Sequence, residues 1–231
     1  MTRTELFLEK YKALERAATG AYGWESDGRA VYRLTQLPQF QKIKDQLSFC
    51  REVRNLLQHN CRIQDAYAVE PSEQMLSLLD RVTQQVLHPT LCRDVCTPVE
   101  RLLYANGNDL VWPAMREMYH RGLTHLPILE DGRVVGVFSE NAVFCSLVSG
   151  ERRELGPDVR FRELRAHLNG SSRRSEEYRF FPAAEPVAQA EAAFERAFGR
   201  GKRIAMFFLT EHGRKEERLL GVLTAWDILG N

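Results

Sequence analysis

The sequence predicts a chain of two parts: an all-α four-helix bundle over residues 1–88, then an α/β half over residues 89–231. Three observations carry this. Apolar residues recur at helical spacing through the first part. After Pro89, short apolar runs bounded by turn residues alternate with amphipathic stretches. The layout around Arg121-Gly122 then returns around Arg200-Gly201. Each copy has a helix ending in Arg-Gly, a strand, a turn, a second strand ending in Gly-Val, and a Ser or Thr opening another helix. Such a fixed layout marks a duplicated unit whose copies bury their faces against each other. The copies span about 89–150 and about 155–231.

In chain order, Leu6, Leu8, Tyr11, Leu14 and Ala18 lie on one helical face and predict a helix over Thr4–Thr19, with Thr2 and Glu5 as a capping box. The stretch GAYGWESDGRAVYRL carries three glycines and little periodicity, and reads as irregular. Pro38 opens a long helical pattern to about His59, with a break expected near Asp45–Ser48. CRIQDAYAVEP reads as a loop, and Asn60 as a left-handed cap. Pro71 opens the last helix, whose Met75, Leu78, Leu79, Val82 and Val86 share a face. In the second part HLPILE, GRVVGVF, RIAMFFLTE and RLLGVLT read as strands. Asp131-Gly132 signals a tight hairpin. RRSEEYRFF, from Arg173 to Phe181, leads from a surface loop into the second copy's first strand.

Composition narrows the function. A net charge of +1 with 27% charged residues argues against a strongly basic nucleic-acid binder. No apolar run is long enough to span a membrane, and the charged N-terminus has no signal-peptide core, so a cytoplasmic location is expected. The five cysteines, Cys50, Cys61, Cys92, Cys96 and Cys145, are an odd and scattered set that reads as reduced thiols. Cys92 and Cys96 lack a second Cys/His pair to complete a zinc site, and no metal is expected.

Two places carry chemistry. In GVLTAWD, Thr224 stands at a helix start, where free N–H groups and a hydroxyl suit a phosphate. Asp227, one turn on, is of the type to accept hydrogen bonds from a ribose diol. The plainer alternative makes Thr224 an N-cap and Asp227 a complement to the helix dipole. In SFCREVRNLLQHN, helical spacing puts Phe49, Val53, Leu56 and Leu57 on one side. Arg51, Arg54, Asn55 and His59 fall on the other, a polar stripe away from the helix's own core that suggests phosphate handling. His59 near a helix end, and Arg54 as an ion-pair partner, have structural readings too.

The repeat layout, together with GVLTAWDIL at Gly221–Leu229, resembles the CBS domain family. The resemblance implies a pair of repeats packed with pseudo-twofold symmetry, with clefts for AMP, ADP, ATP or S-adenosylmethionine. It implies that Thr224 and Asp227 take part in one competent cleft. The first copy keeps a hydroxyl at Ser139 in GVFSENAV but has Ala142 where the ribose-binding acid belongs. Glu140 or Asn141 could compensate, though helical spacing directs their side chains elsewhere, so that cleft is expected to be weaker or empty. His125 and Pro127 match a strand whose backbone lines a cleft. Arg203 and Lys202 stand within reach of a phosphate or are solvated charges.

Arg54-Asn55 followed by His59 resembles the HEPN family of small helical bundles, many of them metal-independent ribonucleases acting as dimers. That resemblance implies that Arg54 binds the scissile phosphate, His59 acts as general base or acid, and Asn55 orients one of them. The combined expectation is a homodimeric nucleotide sensor regulating an RNA-cleaving bundle. The alternative is a non-enzymatic sensor whose helical part serves dimerisation or partner docking.

Overall fold

The computed structural model describes residues 1–59, 67, 69–149, 154–168 and 176–229. The chain divides into two compact units, Met1–Thr90 and Leu91–Asn231.

The first unit is helical. Helix α1, Arg3–Tyr22, starts at the expected capping box, with Glu5 N–H donating to Thr2 Oγ1 at 3.2 Å and Thr2 N–H to Glu5 Oε2 at 2.8 Å. It stops at Gly23, whose φ of 64° is left-handed backbone that favours glycine. The stretch read as irregular therefore holds the end of α1 and also a short helix α2, Ala30–Leu34. Five residues are too few to show a period directly after a glycine-rich stretch. A 3-10 turn at Pro38–Ile43 precedes α3, Lys44–His59, so the break falls just before Asp45. Helix α4, Glu73–Leu87, is capped by Ser72. The loop expected over 61–71 falls mostly outside the described residues, as do Asn60 and Cys61.

Phe7, Tyr11, Leu14 and Ala18 of α1 pack with Leu47, Cys50 and Leu57 of α3 and Leu76, Leu79, Val82 and Val86 of α4. Met75, expected on that face, is only half-buried. The α1–α4 seam is edged by the pairs Lys10–Asp80 at 2.6 Å and Arg3–Glu73 at 2.9 Å. These are partly solvated and worth at most about 1 kcal/mol each.

The second unit is α/β. It begins with a one-turn helix α5, Cys92–Val95, and a two-residue strand β1, Thr97–Pro98, followed by a 3-10 turn at Val99–Arg101. The first repeat then consists of α6, Val111–Arg121; β2, His125–Glu130; β3, Arg133–Ser139; and α7, Glu140–Val148. The second contains β4, Glu176–Pro182; α8, Val187–Phe198; β5, Arg203–Thr210; β6, Gly221–Leu223; and α9, Ala225–Leu229. Arg173–Ser175 lie outside the described residues. Strands β2 and β3 form the expected hairpin, and Asp131 and Gly132 both have positive φ, 50° and 77°. That is the twist a two-residue turn needs.

Each repeat is completed by a segment from outside it. Strand β1 precedes the first repeat yet pairs with β6, giving a sheet ordered β1-β6-β5-β4. Cys92 is buried among Ala190, Phe207 and Leu209 of the second repeat. Conversely Val159, Phe161, Leu164 and Leu168, which precede the second repeat, are buried among Val111, Leu126, Ile128 and Phe138 of the first. Leu129, Val134 and Val137 then meet Met206, Phe208 and Val222 in a shared cluster. Burying Phe207 and Phe208, each 1% exposed, contributes up to about 3 kcal/mol apiece.

Candidate functional site

The exchange of β1 shapes a cavity of about 580 Å³ in the second unit. Thr97 of β1 and Arg101 of the turn after it form one wall. The start of β2 with His125 and Pro127, the start of β5 with Arg203, and the β6–α9 corner with Thr224 and Asp227 form the others. Five of the six residues singled out for nucleotide binding thus line one cavity. Ser139 does not line it: it is 5% exposed at the end of β3 and begins α7 without a side-chain cap bond. Ala142 is buried. Lys202 is turned to Glu177, which also pairs with Arg179 at 2.5 Å.

Local chemistry sets these side chains. Asp227 Oδ2 accepts from both the backbone N–H and the hydroxyl of Thr224, at 2.6 and 2.7 Å. The Thr224 hydroxyl thus donates to Asp227 rather than accepting from a helix N–H in these two bonds, and they tie the Asp227 carboxyl to the start of α9 on the cavity wall. His125 Nδ1 lies 2.8 Å from Thr124 Oγ1, and its ring meets Tyr178 edge-on at 5.8 Å. Among the wall residues that were not sequence candidates, Arg101, Arg121 and Trp226 carry a charge or a large aromatic ring. Arg121 belongs to the Arg-Gly that ends α6, and Glu117 one turn earlier holds it at 2.6 Å. Trp226 is 81% exposed, an unusual position for the largest aromatic. Its place beside Asp227 in GVLTAWDIL was the available signal. With three arginines and one carboxylate, the wall is net positive and suited to a phosphorylated ligand.

In the first unit the polar stripe of α3 is not where helical counting put it. Phe49 is 58% and Leu56 37% exposed, while Leu47, Cys50 and Leu57 are buried. Arg54 stands on the core side. Its guanidinium lies over the Tyr11 ring at 5.4 Å, its Nη2 is 3.8 Å from Glu15 Oε2, and its Nη1 donates to Asn55 Oδ1 at 3.0 Å. Arg51 lies over Tyr32 of α2 at 5.3 Å. These aromatic faces and a carboxylate from α1, remote in sequence, hold the arginines inward. Burial raises the pKa of Glu15 and of Tyr11, with nearby Arg54 opposing both. Arg51, Arg54 and Asn55 line a smaller cavity of about 320 Å³ with Gly28, Arg29 and Tyr32. The His59 backbone ends α3, but its side chain lies outside the described residues.

Residues 92–148 match the CBS domain family. That stretch runs from α5 through α7, the first repeat together with the α5–β1 segment that precedes it. The second repeat shows the same element order, α8-β5-β6-α9 against α6-β2-β3-α7. Among solved structures, a CBS domain pair in complex with 5-methylthioadenosine and S-adenosyl-L-methionine is similar at 17% identity, over 62% of this chain and 94% of that one, with a TM-score of 0.42. CBSX2 in complex with AMP is similar at 16% identity, over 61% and 93%, with a TM-score of 0.43. CbpB in complex with c-di-AMP is similar at 12% identity, over 67% and 91%, with a TM-score of 0.48. A search of curated proteins returned no match.

Among the described residues, no group of three or more His, Cys, Asp or Glu is placed to hold a metal ion. No helix among them is long and apolar enough to cross a membrane.

Proposed function

We propose that the second unit is a tandem CBS module that senses an adenine nucleotide or S-adenosylmethionine. The observation that carries the reading is the convergence of His125, Pro127, Arg203, Thr224 and Asp227 on one arginine-lined cavity. The match of residues 92–148 to the CBS domain family supports this reading. In this reading Arg203, Arg101 and Arg121 take phosphate oxygens, Asp227 accepts from the ribose hydroxyls, and the β2 backbone at His125–Pro127 borders the base. Thermal denaturation with AMP, ADP, ATP and S-adenosylmethionine tests it. At a hundredfold excess over Kd, the right ligand stabilises the fold by about 2.7 kcal/mol. Arg203→Ala and Asp227→Ala each remove that shift. If wild type and both variants respond alike, the cavity is not the site.

The gathering of Arg51, Arg54 and Asn55 on a second cavity favours one reading of the helical unit. It cleaves RNA without a metal, as a homodimer, under control of the nucleotide. Control requires the nucleotide to bind two arrangements of the protein with different affinity. The test is cleavage of a mixed RNA pool in EDTA by wild type and by His59→Ala, with and without nucleotide, alongside light scattering for the dimer. Without cleavage, the helical unit is a dimerisation or docking part of a non-enzymatic sensor.

A further inference from the structure

We infer that Arg29, Arg51 and Arg54 form a binding pocket for a phosphate group in the helical unit. This deepens the RNA-phosphate reading of that unit, sharing Arg54 with it, but requires no cleavage. Three guanidinium-bearing residues from two separate segments line one cavity, and its lining contains no carboxylate. Like charges gathered in this way repel unless an anion joins them.

The pocket is built rather than incidental. Tyr32 and Tyr11 take the flat faces of Arg51 and Arg54, which fixes the side chains without consuming their donors, since guanidinium N–H groups radiate in the plane. The Nε atoms of both arginines are buried and have no hydrogen-bond partner among the described residues. Donors left so are costly, and they leave the charge of both arginines short of acceptors until an anion enters the cavity.

The local carboxylates do not fill the role. Glu15 reaches Arg54 only at 3.8 Å, and its Oε1 is itself buried without a partner. Asp27 is committed to Arg33, at 2.8 and 3.1 Å, and to the backbone N–H of Arg29 at 3.0 Å. A tetrahedral phosphate offers oxygens to several forks at once, whereas a carboxylate offers two. The phosphate could belong to a small metabolite or to a nucleic-acid backbone. Glu15, sitting behind Arg54, is a competing internal anion that lowers the affinity of the pocket for either.

The test follows the Arg Nε–Hε cross-peaks of the full-length ¹⁵N-labelled chain in low-salt, phosphate-free buffer. Arg51→Lys and Arg54→Lys assign the two peaks, which keeps the readout apart from the arginines of the second unit. The probes are inorganic phosphate and a short oligouridylate without terminal phosphates. Both peaks are expected to move together with one Kd. Arg29→Ala, at an exposed position that leaves the core intact, should weaken that Kd about tenfold. Glu15→Gln should tighten it. Tighter binding of the oligonucleotide assigns a nucleic-acid source, and tighter binding of phosphate a small metabolite. Peaks that stay still with both probes overturn the inference, as does a Kd indifferent to both variants. Movement of the peaks without RNA cleavage upholds the pocket and removes only the nuclease reading.

Discussion

Replacing Gly221 with alanine should damage the second unit out of proportion to one methyl group. Gly221 opposes Pro98 in the β1–β6 ladder. A Cβ there would lie 2.7 Å from Cys96 Sγ, 2.8 Å from Thr97 O and 3.3 Å from Pro98 Cα. Two of the three contacts are backbone, so no rotamer change relieves them, and β1 must move away. Overpacking of this kind costs about 1–3 kcal/mol. Weakening a ladder only two residues long adds about 1 kcal/mol for each hydrogen bond lost. The sum, roughly 2–4 kcal/mol, is a large share of the 5–15 kcal/mol typical of a domain. Because Thr97 and Val222 both border the cavity, ligand affinity should fall as well. Urea denaturation gives the stability, and hydrogen exchange over residues 92–98 reports whether β1 is the part released. Gly20→Ala is the matched control. It makes the same chemical change within α1, where nothing lies within 4 Å of the new Cβ, and should gain about 0.5–1 kcal/mol. A Gly221→Ala protein within about 0.5 kcal/mol of wild type would refute the close-approach account.

Three further outcomes are expected. Thr2→Ala removes the hydroxyl that accepts from Glu5 N–H and should destabilise the helical unit by about 1 kcal/mol, measured by its melting curve. Hydrogen bonds from the backbone N–H groups of His212 and Arg214 help depress the Glu217 pKa from 4.5 to about 2. A depressed carboxylate contributes stability above its unfolded pKa and loses it as pH falls between those values. Acid denaturation of Glu217→Gln should therefore be flatter than wild type from pH 4.5 down to about 2. Burial pushes the Cys50 thiol up to about 11 and the Cys92 thiol up to about 12. Neither should react with a thiol reagent at pH 8 in the folded protein, while both should react after denaturation. Mass mapping of the labelled peptides decides this.

Features with a local signal are legible in the sequence, and those that depend on remote neighbours are not. Asp131-Gly132 announces its own turn, because few dipeptides tolerate two positive φ angles in succession. The duplicated layout likewise made the two halves of the cavity comparable, and placed Thr224, Asp227, Arg203, His125 and Pro127 among its candidates. Arg101 was out of reach: only the pairing of β1 with β6, from opposite ends of the unit, brings it to the cavity. The orientation of α3 is hidden from the sequence for a similar reason. Counting apolar residues put Phe49 and Leu56 inside, but Tyr11 and Glu15 on α1 draw Arg54 inward instead.

The order of synthesis gives the crossed strands a further meaning. Thr97 leaves the ribosome about 125 residues ahead of its partner Val222. At 5–20 residues per second that is a wait of roughly 6–25 s. Until Phe161 and Leu168 follow, the first repeat has no cover for Leu126 and Phe138, and until β6 arrives β1 has no ladder. The first repeat can therefore close once Leu168 has emerged, whereas β1 waits until the second repeat is nearly complete. A fragment holding one repeat alone would expose the apolar surface that the missing segment covers, and would be prone to aggregate. The smallest portable piece of this half is the whole of Leu91–Asn231.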